Sequence, residues 1–218
     1  MKPIFYSLLI GANEFDQLAD LKPVELPLKS GIWSPKDHID LDKVKNLSHG
    51  EALKMSLNGP LISLAQKKGF AVLERQLEGF LPRLKKPLAE YPSQLLGAIE
   101  LTVKELADIY GSFLEGACQK ESYRAVYDLL SDPTKTTVWK RSKELEGVRF
   151  FGKTGTSNNS FDNWFVYGST DNIIVIWFGY IGQRNRKAFK ISGASTAYEI
   201  LKGYWRSSGK RIKQVHCF

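Results

Sequence analysis

Three short groups of residues carry side chains that can do chemistry together. The first is Lys153-Thr154-Gly155-Thr156, which follows the β-rich stretch Gly147-Val148-Arg149-Phe150-Phe151-Gly152. Two more strand-like runs come after it, Asn163 to Tyr167 and Ile173 to Tyr180. On a strand, Lys-Thr-Gly lines up an ammonium, a hydroxyl and a bare backbone edge. That set suits a peptide carboxylate lying antiparallel along the edge of a sheet. The second group is Ser56-Leu57-Asn58, a hydroxyl and an amide two residues apart, and the third is a further amine, Lys2, followed by Pro3.

Each group has a plainer reading. Ser-x-Asn is a common triplet, repeated at Ser157-Asn158-Asn159, and Ser56 and Asn58 read equally as a helix end whose side chains satisfy local backbone groups. The order of the three groups along the chain argues for more than that. Gly147 to Thr154 also fits the phosphate-loop pattern Gly-x-x-x-x-Gly-Lys-Thr. Such a loop needs a strand before it, a flexible nest within it and a helix after it. Here Lys143-Glu144-Leu145-Glu146 precedes, Val-Arg-Phe-Phe fills the middle, and Gly155, Thr156, Asn158 and Asn159 follow, so nucleotide binding is set aside. Ser207-Ser208-Gly209-Lys210 is a literal Ser-x-x-Lys, but it reads as a solvated tail and falls after the Lys-Thr-Gly strand.

The elements that must position these groups follow from the hydrophobic pattern. Residues 3–15 have a helical rhythm, and residues 20–46, with Pro23, Pro27, Gly31 and Pro35, read as irregular. Ser48 to Glu51 is a capping box opening a short helix to Met55; Gly59-Pro60 opens another that closes at Gly69, and a third runs from Ala71 to Leu81. Thr102 to Glu105 is a second capping box, leading a helix with Leu106, Ile109, Tyr110, Phe113 and Leu114 on one face. Residues 122–146 read as two helices broken near Pro133; three strands follow, the last two joined by a turn at Asp171-Asn172, then a helix from Ser195 to Trp205. Helices first and an antiparallel meander last make an α+β fold, read as one domain over residues 1–218. A net charge of +8 suits an anionic partner, whether nucleic acid, a membrane face or a cell-wall polymer. The tryptophans and phenylalanines at 164, 165, 177 and 178 fall in strand-like runs expected to be buried, which leaves no stacking platform for nucleic acid. Cys118 and Cys217 could pair as a disulfide but are read in preference as free thiols, and no apolar run is long enough to span a membrane.

Taken together, the chain resembles the C-terminal part of the transpeptidase domain of penicillin-binding proteins, most closely the bifunctional type that joins a glycosyltransferase to a transpeptidase. Lys2-Pro3-Ile4-Phe5 resembles the end of the family's Ser-x-x-Lys helix start. Trp33-Ser34-Pro35-Lys36 with Glu51 to Asn58 is similar to the approach to its second motif. Leu96-Gly97-Ala98 with Thr102, Glu105 and Leu106 resembles its connecting helix, and Gly152 to Thr156 with Asp162 to Val166 its third motif and next strand.

The resemblance implies a β-lactamase/transpeptidase-like fold, an antiparallel sheet flanked by helices, with the family's N-terminal strands missing. It implies crosslinking of peptidoglycan stem peptides through a serine acyl-enzyme that β-lactams trap, with no cofactor and no metal. By this analogy Lys2 is the base, Ser56 relays a proton to the leaving nitrogen, and Asn58 holds the acyl-side amide. Lys153 supplies positive potential, Thr154 and Thr156 bind the terminal carboxylate, the Thr156 N–H is an oxyanion donor, and Gly155 leaves room for the acyl group. The three clusters are expected to converge on one cleft. The family's serine lies three residues before the lysine, ahead of Met1, so a chain beginning at Met1 is expected to form no acyl-enzyme. Location at the extracytoplasmic face of the inner membrane, anchored through a missing N-terminal region, is implied for the parent. The alternative is a noncatalytic module that binds peptidoglycan or a partner; fluorescent penicillin separates the two.

Overall fold

A computed structural model describes residues 1–78, 81, 86–143, 149–169, 172–180 and 191–208. The chain divides into two compact units, Met1–Glu100 with Gly116–Val126, and Leu101–Glu115 with Tyr127–Phe218.

The first unit is mainly helical. Helix α1 (Lys2–Leu9) carries Pro3 in its first turn, where a missing N–H costs nothing, and buries Ile4, Phe5 and Tyr6 completely. It is shorter than the 3–15 pattern suggests. Gly11 is a poor helix former, and the Glu14 carboxylate accepts its N–H at 2.7 Å, so residues Ala12–Glu14 form a separate 3-10 turn. Helices α2 (His49–Lys54), α3 (Gly59–Lys68) and α4 (Phe70–Leu77) pack with α1 in this unit. The Ser48–Glu51 capping box forms as read, with Glu51 N–H on Ser48 Oγ and Ser48 N–H on the Glu51 carboxylate. α3 closes at Gly69, whose φ of +96° is open to glycine. The segment read as irregular contains a small hairpin, β1 (Leu26–Leu28) with β2 (Gly31–Trp33). Pro27 argues against a strand, but in a two-stranded ladder of three residues each it is tolerated.

The second unit is built on an antiparallel sheet of β3 (Phe151–Thr156), β4 (Asp162–Gly168) and β5 (Ile173–Gly179), in that order. Helix α7 (Ala197–Ser208) covers one face, where Tyr198 and Leu201 pack with Phe150, Phe165 and Tyr167. The other face meets α5 (Val103–Ala117) and the end of α6 (Glu121–Leu130) through Tyr110, Phe113 and Tyr127 against Phe151. The Thr102–Glu105 capping box forms at the head of α5. After α6 the expected second helix is absent among the described residues; Pro133–Lys135 and Trp139–Arg141 are 3-10 turns, the first held by the Asp132 carboxylate on Thr134 N–H. Residues 144–146 of that reading lie outside the described residues, as do Asp171 and the Gly209-Lys210 end of the C-terminal Ser-x-x-Lys. Ser207 and Ser208 complete α7 instead of opening a tail. Phe165 is buried as expected, Trp164 and Trp177 are half-buried, and Phe178 is exposed. Cys118 is disulfide-bonded, which corrects the free-thiol reading; Cys217 lies outside the described residues. No helix among the described residues is long and apolar enough to cross a membrane.

Candidate active site

In the first unit, Lys2 stands in the first turn of α1 and is buried, only 8% exposed. Its Nζ donates to the Ser56 carbonyl and to Asn58 Oδ1, both at 2.5 Å. Removal from water lowers its pKa to about 8, while the Asp37 carboxylate pulls in the opposite direction. An amine with that pKa is about one-tenth neutral at pH 7 and can act as a base.

The turn between α2 and α3 explains why Ser56 and Asn58 meet Lys2. α2 ends in a Schellman motif: Leu57 N–H donates to the Ala52 carbonyl and Ser56 N–H to the Leu53 carbonyl, each at 2.9 Å. Leu57 is fully buried in a cluster with Ala52 and Leu47, the apolar clasp such a motif wants. Ser56 therefore occupies the left-handed position, φ +60°, where glycine is usual. This conformation carries the Ser56 backbone around so that its carbonyl receives the Lys2 ammonium. Asn58 follows at the N-cap position of α3, and its amide is fixed from both ends, with Oδ1 on Lys2 and Nδ2 donating to the Lys36 carbonyl at 2.5 Å.

In the second unit, Lys153, Thr154, Gly155 and Thr156 lie on β3, one of the outer strands of the described sheet. The strand bears out the extended reading from Phe151 onward and argues against the phosphate loop, since a 3-10 turn at Asn158–Ser160 follows it rather than an α-helix; Gly147 and Val148 of that pattern lie outside the described residues. Strand alternation puts Lys153 and Gly155 on one face and Thr154 and Thr156 on the other. Lys153 is buried, with its Nζ donating to the Thr154 carbonyl at 2.9 Å. The Thr154 hydroxyl shares a hydrogen bond with Thr137 Oγ1 at 2.6 Å, and Thr156 Oγ1 accepts the Gly193 N–H at 2.9 Å. Gly193 lies flat on the β3–β4 ladder; a Cβ there would come within 2.4 Å of the Trp164 carbonyl and 2.6 Å of the Gly155 carbonyl. Each threonine thus keeps hydrogen-bonding capacity for a ligand while a second segment fixes its rotamer.

Asp37, Thr137 and Gly193 escape a reading of the sequence. Their partners are 17 to 38 residues away, and no pattern marks them. Only the nearby Trp33-Ser34-Pro35-Lys36 hints at Asp37.

The Lys-Thr-Gly strand in the α+β unit and, in the helical unit, the lysine seated on a Ser-x-Asn turn belong to a transpeptidase-like fold. No protein-family model matches the chain. Its relatives are penicillin-binding proteins: it is 25% identical to penicillin-binding protein 1B of Buchnera aphidicola subsp. Baizongia pistaciae over 93% of this chain and 31% of that protein. It is 25% identical to penicillin-binding protein 1B of Escherichia coli over 84% of this chain and 25% of that protein. With penicillin-binding protein 1A of Aquifex aeolicus the identity is 29%, over 94% and 32% respectively. The solved structure of penicillin-binding protein 1A from Haemophilus influenzae matches 99% of this chain and 42% of that one, with a TM-score of 0.78 at 15% identity, and shows the same fold. The chain is similar to penicillin-binding proteins 1A and 1B over most of its own length, and spans about a quarter to a third of the length of these curated relatives.

Proposed function

We propose that this chain is part of a peptidoglycan D,D-transpeptidase, carrying its lysine base and its carboxylate-binding strand. The seating of Lys2 carries this reading. A lysine is costly to bury, and here it is buried against a backbone carbonyl and an amide, with its pKa lowered to about 8. A solvated structural lysine would show neither feature. The relatives' names add penicillin binding as the expected ligand chemistry.

In this reaction a serine hydroxyl gives its proton to the neutral Lys2 amine and attacks the carbonyl of a terminal D-alanyl-D-alanine. The Thr156 N–H stabilises the oxyanion, and Ser56 passes a proton to the leaving D-alanine nitrogen. The amine of a second stem peptide then takes the acyl group, restoring the serine. A β-lactam enters the first step and not the second. Asn58 orients the acyl-side amide. Lys153 attracts the terminal carboxylate, Thr154 and Thr156 hydrogen-bond it, and Gly155 admits the acyl chain. Metal ions and cofactors have no part in these steps, and the setting is the extracytoplasmic face of the inner membrane, where stem peptides are found.

Binding of a peptide ending in D-alanyl-D-alanine, measured by calorimetry on the whole chain, tests the strand's role. Lys153→Ala is expected to weaken binding at least tenfold, and capping the peptide's carboxylate as an amide to weaken it similarly. Equal binding of the acid and the amide would contradict the assignment.

A further inference from the structure

Asn58 is held by a group that belongs to none of the three motifs. The Asp37 carboxylate accepts the Asn58 N–H on Oδ1 at 2.5 Å and the Gly59 N–H on Oδ2 at 2.9 Å. Both are free donors of the first turn of α3, which has no cap from its own Asn58 side chain. The preceding residue, Lys36, offers its carbonyl to Asn58 Nδ2. Two consecutive loop residues therefore grip Asn58 by backbone and side chain, and leave Oδ1 facing the Lys2 ammonium. The residue at 59 is matched to this grip, because a Cβ there would stand 3.0 Å from Asp37 Oδ2.

We propose that Asp37 is the positioning residue of the base: its carboxylate fixes the start of α3, and through it the Asn58 amide that receives Lys2, while placing a negative charge beside the amine. The charged groups around Lys2 fit this assignment. Asp37 acts on it through space, and the Lys36 carbonyl accepts from the Asn58 Nδ2. Tyr6, one turn further along α1, is wholly buried and held protonated first by that burial and then by the same Asp37 charge. The base role of Lys2 rests on the reading above; the hold on Asn58 and the electrostatic pull on Lys2 stand apart from it, and the test addresses those.

The experiment is competitive acetylation of the whole chain with acetic anhydride across pH 6 to 11, with Lys2 Nζ localised by tandem mass spectrometry. Asp37→Asn removes the charge and puts an amide N–H against one of the two backbone donors. The reactivity midpoint of Lys2 is expected to fall, and a drop of about one unit raises its reactive fraction at pH 7 about fivefold. Asp40→Asn, which removes a carboxylate of the same loop that touches neither Asn58 nor Gly59, is expected to leave the midpoint in place. An unchanged midpoint in Asp37→Asn, or one that rises without faster amide exchange at residues 58 and 59, overturns the proposal; a rise with faster exchange there reports release of the amine with the Asn58 hold and supports it. Should that variant not fold, Gly59→Ala decides: its methyl displaces the carboxylate, so faster amide exchange at residues 58 and 59 with a lowered midpoint supports the assignment, and unchanged values of both refute it. Loss of peptide binding with a normal Lys2 response would instead count against the transpeptidase reading.

Discussion

Ser56 shows how one residue can be tuned for chemistry against its own backbone. At φ +60° it sits where a side chain costs on the order of 1 kcal/mol, and its carbonyl is one of the two acceptors of the Lys2 ammonium. Ser56→Gly is expected to leave stability unchanged or raise it by up to about 1 kcal/mol in a denaturant titration; a clear loss would mean the hydroxyl is structural. Lys2 makes the complementary prediction in pH. Its amine titrates near 8 in the folded chain against 10.5 when unfolded, so between those values the unfolded chain holds more protons. Stability is therefore penalised at low pH and recovers as pH rises from about 8 to about 10.5, by on the order of 3 kcal/mol. Lys2→Met should lose that rise, as followed by denaturant midpoints at pH 7, 9 and 10.5. The Ser-x-Asn triplet and the lysine are visible in the sequence. The left-handed turn is not, because it follows from where α2 stops and from the burial of Leu57 rather than from Ser56 itself.

At the level of elements, the sheet strand carrying Lys153 depends on a turn far along the chain. The Gly193 N–H anchors Thr156 Oγ1, and the glycine's bare Cα lies on the Gly155–Trp164 pair. Gly193→Ala would drive a methyl into two backbone carbonyls that cannot yield, so a loss of about 1–3 kcal/mol is expected, with faster amide exchange at Gly155 and Thr156. A variant as stable as the parent would show that the turn lifts off freely. Elements with an end signal in the sequence are the ones that were legible: the two capping boxes at Ser48 and Thr102 set the starts of α2 and α5, and Gly69 closes α3. The hairpin at residues 26–33 was hidden by Pro27, and residues 133–141 turn as 3-10 pieces because Asp132 and Pro133 offer the backbone a local alternative to the helix.

For the whole molecule, order along the chain proved more informative than composition. A net charge of +8 is compatible with several anionic partners, whereas the succession of lysine, Ser-x-Asn turn and Lys-Thr-Gly strand narrows the reading to one family, and the likeness to penicillin-binding proteins 1A and 1B extends over the same stretch. What composition and motif order left out are the long-range holds, Asp37 on α3 and Gly193 on β3, since each depends on segments that meet only once folded. The most direct measurement is covalent labelling by fluorescent penicillin of a protein in which a serine stands three residues before Lys2. A labelled band is expected, and Lys2→Ala and Lys153→Ala should each reduce its rate of formation at least a hundredfold. A band that forms equally well without either lysine, or none at all in that protein when folded, would contradict the roles given to Lys2 and Lys153.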